Sequence, residues 1–209
     1  MGNLVDDLLL LARLDERRPM ERRPVDLSQL ASDAAMDSRA LDPSRPIAVS
    51  VADDAIVAGD ELRLRQVVAN LTRNALVHTP PGTPVEIRTT LAPPSPSPAA
   101  ALRVGVPPAA MAELQVTDHG PGIPPAVGDK IFERFYRADP ARGRERGSSG
   151  LGLSIVAAVV AAHDGQIEVQ PTPGGGATFI VRLPLYAADA ETGRAAVLTR
   201  RGAQLKPSP

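Results

Sequence analysis

The chain has 209 residues and a net charge of -1, with no cysteine, no tryptophan, two tyrosines and three phenylalanines. Near-neutrality and scarce rings exclude nucleic acid as a partner, because neither phosphate neutralisation nor base stacking has residues to work with. The absence of cysteine excludes disulfides, thiolate metal sites and a Cys nucleophile, and the longest apolar run, LGLSIVAAVVAA at 151–162, falls short of the roughly 20 residues that span a bilayer, so no direct membrane insertion is expected.

The opening stretch, MGNLVDDLLLLARLDERRP, carries acids where a signal peptide needs bases, and a cytoplasmic chain is expected. Leu4, Val5, Leu8, Leu9, Leu11 and Ala12 make residues 1–18 an almost wholly apolar helix, marginal on its own in water. Leaving five or six such side chains wet would forfeit on the order of 10 kcal/mol, so the helix is expected to pack on a partner or fold back on its own domain. Residues 15–24 repeat Glu-Arg-Arg-Pro twice, and prolines block helix continuation, so 19–24 reads as a linker into a main domain at 25–186. Asp26, with Gln29 three residues on, has the form of a capping box opening a helix through about Ala40, and IAVSV at 47–51 alternates like a strand. Asp60 caps a second helix, whose Leu64, Val67, Val68, Leu71 and Ala75 form a core stripe. Strands are expected at 84–91, 112–118, 165–170 and 177–184, with a buried helix over 151–162 and a Pro-rich surface loop over 92–110. Residues 187–209 form a polar tail expected to be disordered. The sum is an α/β chain, a two-layer sandwich of a mixed, largely antiparallel sheet with helices on one face.

Three features are not explained by packing. On the second helix Asn70 and Asn74 sit one turn apart, with His78 a further turn on, about 100° from the core stripe. Asn is a middling helix former, and its amide oxygen suits a hard cation such as Mg²⁺ shared with substrate phosphates, although a solvated polar face would look the same. VTDHGPGIP at 116–124 places Asp118, Gly120 and Gly122 after a strand, either as a nucleotide contact or as a tight turn. GSSGLGLSIV at 147–156 sets Gly147, Gly150 and Gly152 before an apolar helix, where backbone N–H groups and the positive helix end suit a phosphate, or where glycines merely loosen the helix entry.

Taken in order, NLTRNALVHT, DHGPGIP, FERFYRAD and GSSGLGL resemble the N, G1, F and G2 boxes of the ATP-binding domain of bacterial sensor histidine kinases, within the superfamily that includes DNA gyrase and MutL. The resemblance covers about 165 residues, from Val25 to Pro184, and implies the Bergerat-type ATP-binding fold with ATP and Mg²⁺ as cofactors. By that resemblance Asn74 ligates the Mg²⁺ that bridges the ATP phosphates, and Asn70 helps to hold them. His78 stands where the family usually sets an aromatic ring against adenine. Asp118 accepts from the adenine amine, Gly120 and Gly122 admit the base, and Thr178 joins the adenine-side bonds. Gly150, Leu151 and Gly152 wrap the phosphates, and Arg137 sits near the terminal phosphate. Phe132 and Phe135 are expected to anchor a lid at 124–149. Val77 departs from the pattern, since the family often has Lys there.

The resemblance assigns Asn70 and Arg137 to catalysis. The gyrase-like relatives carry a water-activating Glu at the Asn70 position, and a neutral amide cannot take that proton, so hydrolysis should be slow and ATP kept for another nucleophile. In histidine kinases this is an imidazole on a two-helix dimerisation hairpin. Residues 1–18 resemble the end of the second hairpin helix, and the histidines here, His78, His119 and His163, all fall inside the nucleotide domain. The expectation is therefore a split kinase, phosphorylating a His on a separate dimerisation-domain protein and, through it, a response regulator. That partner would recruit the chain to the inner membrane face if membrane-bound. The alternatives are a non-catalytic ATP-binding regulatory subunit and a serine kinase or ATPase on the same fold.

Overall fold

The computed structural model describes residues 9, 11, 12, 22–93, 110–124, 127–136 and 150–186. Its strands are β1 (Arg23–Asp26), β2 (Ile47–Ser50), β3 (Ile56–Gly59), β4 (Val85–Ala92), β5 (Met111–Asp118), β6 (Gln166–Pro171) and β7 (Ala177–Pro184). The helices among the described residues are α1 (Leu27–Leu41), α2 (Glu61–His78) and α3 (Gly152–Ala162), with a single 3₁₀ turn at Gly128–Phe132.

Five strands form one sheet in the order β2-β4-β5-β7-β6, parallel between β2 and β4 and antiparallel elsewhere. Period-two alternation gives each strand an inner face: Val85 and Ile87 on β4, Leu114 and Val116 on β5, and Phe179, Val181 and Leu183 on β7 are buried. The stripe Leu64, Val67, Val68, Leu71 and Ala75 of α2 lies in the same core, with Leu27, Leu30 and Ala31 of α1 and Ile155, Val156 and Val159 of α3. Helix α2 packs between the other two. This is the expected two-layer arrangement, helices on one face of a mixed sheet.

Local chemistry sets the element ends. Asp26 caps α1 by accepting from the N–H groups of Ser28 (2.9 Å) and Gln29 (3.1 Å). Gln29 does not complete a capping box; its amide instead donates to Asp33 one turn on, at 2.7 Å. Asp42 precedes Pro43 and closes α1, as the residue before proline is pushed out of the helical region. Thr79, before Pro80, closes α2 in the extended conformation for the same reason.

One boundary differs from expectation. Arg23 and Pro24 belong to β1 and not to a linker, because β1 pairs antiparallel with β3, a strand that a four-residue run without clear alternation did not announce. Arg22 is also tied down, through Asp164 (2.6 Å) and the Ala162 carbonyl at the end of α3 (3.2 Å). The small β1–β3 sheet joins the main one where Val57 bridges Leu185 and Ile56 accepts from the Tyr186 N–H at 2.8 Å. In the opening stretch Leu9, Leu11 and Ala12 are helical. Leu11 is 2% exposed within the domain core, whereas Leu9 is 52% exposed. Among the described residues no helix is long and apolar enough to cross a membrane. The Pro-rich segment beyond Pro93 as far as residue 109, and the tail after Tyr186, lie outside the described residues.

Candidate nucleotide-binding site

Helix α2 carries the amide stripe along the flank of its buried face. Asn70 and Asn74 are half-buried, and His78, the last helical residue, is exposed. Asn70 Nδ2 makes a long hydrogen bond, 3.4 Å, to the carbonyl of Gly152, the first residue of α3. Among the described residues the Asn74 side chain has no hydrogen-bond partner. A half-buried amide without a partner among the described residues, one turn from an Asn already engaged with the start of α3, could offer its oxygen to a hard cation.

Strand β5 delivers Asp118 at its end, 7% exposed. Its Oδ1 accepts from the Gly120 N–H (2.9 Å) and, weakly, from the Ala177 N–H (3.4 Å), while Oδ2 accepts nothing among the described residues. A buried carboxylate with one oxygen fixed and the other open is oriented to receive a donor from outside the protein. Thr178, opposite Thr117 in the sheet, bonds Thr117 (3.2 Å) and Thr172 (2.9 Å) through its hydroxyl, forming a three-hydroxyl chain beside Asp118.

The glycines of the β5 turn are required by neighbouring protein. A Cβ at Gly120 would lie 2.6 Å from Cγ2 of Thr79, and one at Gly122 would lie 2.9 Å from the Gly176 carbonyl oxygen. Both glycines therefore admit neighbouring protein, the end of α2 and the β6–β7 turn. Gly176 was missed from sequence: its φ is 111°, and a Cβ there would overlap the Asp118 carbonyl oxygen. The run of three glycines at 174–176 was the signal available.

At the other end, Gly150 holds φ 70° and leads into α3. Among the described residues the helix start has no side-chain cap, an end whose first amides suit an anion. The Leu151 side chain is wholly buried in the core, and only its backbone can contribute to a site. Phe132 stacks edge-on against Phe179, centroids 6.5 Å apart, as a lid anchor should. Phe135 does not: it is 59% exposed with φ 62°, and Tyr136 packs against the core instead. Arg137, Gly147 and most of the lid lie outside the described residues.

The two remaining histidines are engaged structurally. His163 is fully buried; its Nδ1 donates to the Val159 carbonyl (2.7 Å) and its Nε2 accepts from the Asp60 N–H (3.0 Å), which fixes the neutral Nδ1–H tautomer. Burial lowers its pKa below the ordinary 6.5 against the opposing pull of the Val159 bond. His119 pairs with Glu86 on the surface at 2.9 Å.

An amide pair, a half-open buried carboxylate and an uncapped glycine-led helix start, on helices covering one face of a mixed sheet, define a Bergerat-type nucleotide-binding domain. The chain belongs to the histidine kinase-, DNA gyrase B- and HSP90-like ATPase family, whose model matches residues 59–187. It is 49% identical over 183 residues to the probable sensor histidine kinase TcrY of Mycobacterium tuberculosis, covering 87% of this chain and 35% of TcrY. It is 40% identical over 186 residues to the sensor histidine kinase TrcS of the same organism, covering 88% of this chain and 34% of TrcS. The chain thus spans about a third of the length of these curated relatives. Among solved structures, the mycobacterial sensor histidine kinase MprB superposes with a TM-score of 0.61 at 32% identity, covering 78% of this chain and 97% of that one. Full-length ShkA in complex with AMPPNP superposes with a TM-score of 0.67 at 28% identity, over 90% of this chain and 36% of ShkA.

Proposed function

We propose that this chain binds ATP with Mg²⁺ in the cleft between α2, the Asp118 turn and the start of α3, and delivers the γ-phosphoryl group to a histidine on a partner protein. One arrangement carries the reading: α2 meets the α3 start through Asn70 and the Asp118 turn through Thr79, so the amide pair stands between a phosphate-type subsite and a base-type subsite. The AMPPNP bound by ShkA is a nucleotide of the same chemistry.

In this reading the open Oδ2 of Asp118 accepts from the adenine amine, and guanine is rejected because it presents a carbonyl there. Asn74 supplies an oxygen to Mg²⁺, and Asn70 and the backbone of Gly150, Leu151 and Gly152 hold phosphates. Thr178 supports the adenine side and His78 lies against the base. Arg137 adds positive charge near the terminal phosphate. When bound, Mg²⁺ neutralises charge on the phosphate oxygens as the phosphoryl group departs. Asn70 cannot deprotonate water, which spares ATP for an imidazole nucleophile.

His163, buried with both nitrogens engaged, and His119, held by Glu86, are unsuited to be that nucleophile, and His78 belongs to the site itself. The acceptor we propose is an imidazole on a two-helix hairpin protein, which passes the group to a response regulator. The test mixes this protein, γ-labelled ATP and a hairpin protein encoded beside it. Label is expected on the partner's histidine and is lost with Asn74→Ala or Asp118→Ala. Val77, at a position where the family often has Lys, favours as a second reading a regulatory subunit that binds ATP without transfer; tight binding with no label on any partner would select it.

A further inference from the structure

We infer that Arg45 is the positioning residue for the adenine end of the cleft, holding the last turn of α2 against the Asp118 turn; the inference rests on the nucleotide reading above. Arg45 lies between α1 and β2, far from the four boxes in sequence, and is only 6% exposed. Its Nε donates to Asp42 Oδ2 (3.2 Å), its Nη1 to Thr79 Oγ1 (2.8 Å) and to the Pro80 (2.9 Å) and Thr83 (3.1 Å) carbonyls, and its Nη2 to the Leu76 carbonyl (3.1 Å). Four of these five acceptors belong to the end of α2 and the turn after it. A helix C-terminus leaves carbonyls without intrahelical partners and carries partial negative charge, and the Thr-Pro-Pro exit removes the donors that a continuing chain would offer. The rigid guanidinium fork replaces them from outside the helix; a lysine, with three donors at one point, cannot.

The link to the site runs through Thr79. Its hydroxyl donates to the Ala75 carbonyl (2.6 Å) while accepting from Arg45. Its methyl group fills the space that a side chain at Gly120 would need, and the Gly120 N–H holds Asp118 Oδ1. Arg45, Thr79, Gly120 and Asp118 thus form a continuous chain from a buried cation to the carboxylate that reads the base. Loosening it lets the carboxylate and the helix bearing the amides drift apart, and small misplacements of a binding group cost affinity steeply.

The test is titration calorimetry of the intact protein with Mg-ATP, Mg-ADP and Mg-GTP. Arg45→Met and Thr79→Val are each expected to weaken ATP and ADP by the same factor, about tenfold, and to shrink the preference for ATP over GTP. Arg45→Lys should recover part of the loss, and the Arg45→Met/Thr79→Val double variant should bind no worse than the weaker single one, because the two act as one unit. Asn74→Ala, by contrast, should weaken ATP while leaving the base preference intact. If Arg45→Met does not fold, the isosteric Thr79→Val carries the test. Folded variants with unchanged affinity and unchanged base preference overturn the role of Arg45. A wild-type protein that binds none of the three nucleotides overturns the reading of the cleft itself.

Discussion

At the scale of single residues, the proposed site rests on polar atoms that have no partner among the described residues. Asp118 has one oxygen fixed by Gly120 and Ala177 and the other without a partner among the described residues, so Asp118→Asn should keep the fold and, if the proposed reading holds, set a donor against the adenine amine. Calorimetry should then show at least a tenfold loss of ATP affinity at an unchanged melting temperature, with charge-assisted bonds worth roughly 1.5 to 3 kcal/mol. Gly176→Ala should act the opposite way, on the fold. It puts a side chain at φ 111° into the Asp118 carbonyl, and urea unfolding should show a loss of at least about 2 kcal/mol. His163 links pH to stability. Its folded pKa is lowered, so the unfolded chain binds the proton more readily; the stability is fully present above the ordinary 6.5 and drains away as pH falls below it. Thermal melts between about pH 7 and pH 5 should show a falling melting temperature, with a shallower fall in His163→Gln.

At the scale of elements, α2 is the piece on which the others are arranged, and its ends are held by different means. Asp60 accepts the Arg63 N–H at 3.1 Å, so Asp60→Ala should cost about 1 kcal/mol in urea unfolding, the ordinary worth of an N-cap. This end was legible in sequence, since a capping Asp directly before an apolar stripe is a local signal. The other end was not. The cation that satisfies its carbonyls lies 34 residues away from Thr79 along the chain, and no periodicity joins Arg45 to it. The lid shows the same limit: Phe132 and Phe135 look equivalent in FERFYRAD, yet only Phe132 reaches Phe179, because the backbone at Phe135 adopts φ 62° and turns its ring outward.

At the scale of the molecule, Leu11 changes how the apolar opening stretch is understood. Its burial in the domain core means that at least this leucine is satisfied within the chain, whereas Leu9 stays half-exposed. Leu11→Ala should destabilise the whole domain by about 2 to 5 kcal/mol in urea unfolding, as a core truncation does. Leu9→Ala should leave unfolding nearly unchanged and, if a hairpin partner packs there, weaken that association in sedimentation or calorimetric titration.

What the sequence by itself determined was whatever is written in neighbouring residues. The strand alternation, the α2 stripe and the Asp26 and Asp60 caps follow from period and capping chemistry, and the ordered boxes around Asn74, Asp118 and Gly150 from their resemblance to the histidine kinase ATP-binding domain. Only the tertiary structure decided which distant groups meet. Gly120 is small because Thr79 abuts it, Gly122 because Gly176 does, and Arg45 is buried because its guanidinium reaches carbonyls at the end of α2 and in the turn after it. Close approach between segments leaves no mark in either segment alone, since a turn glycine and a contact glycine are spelled the same way.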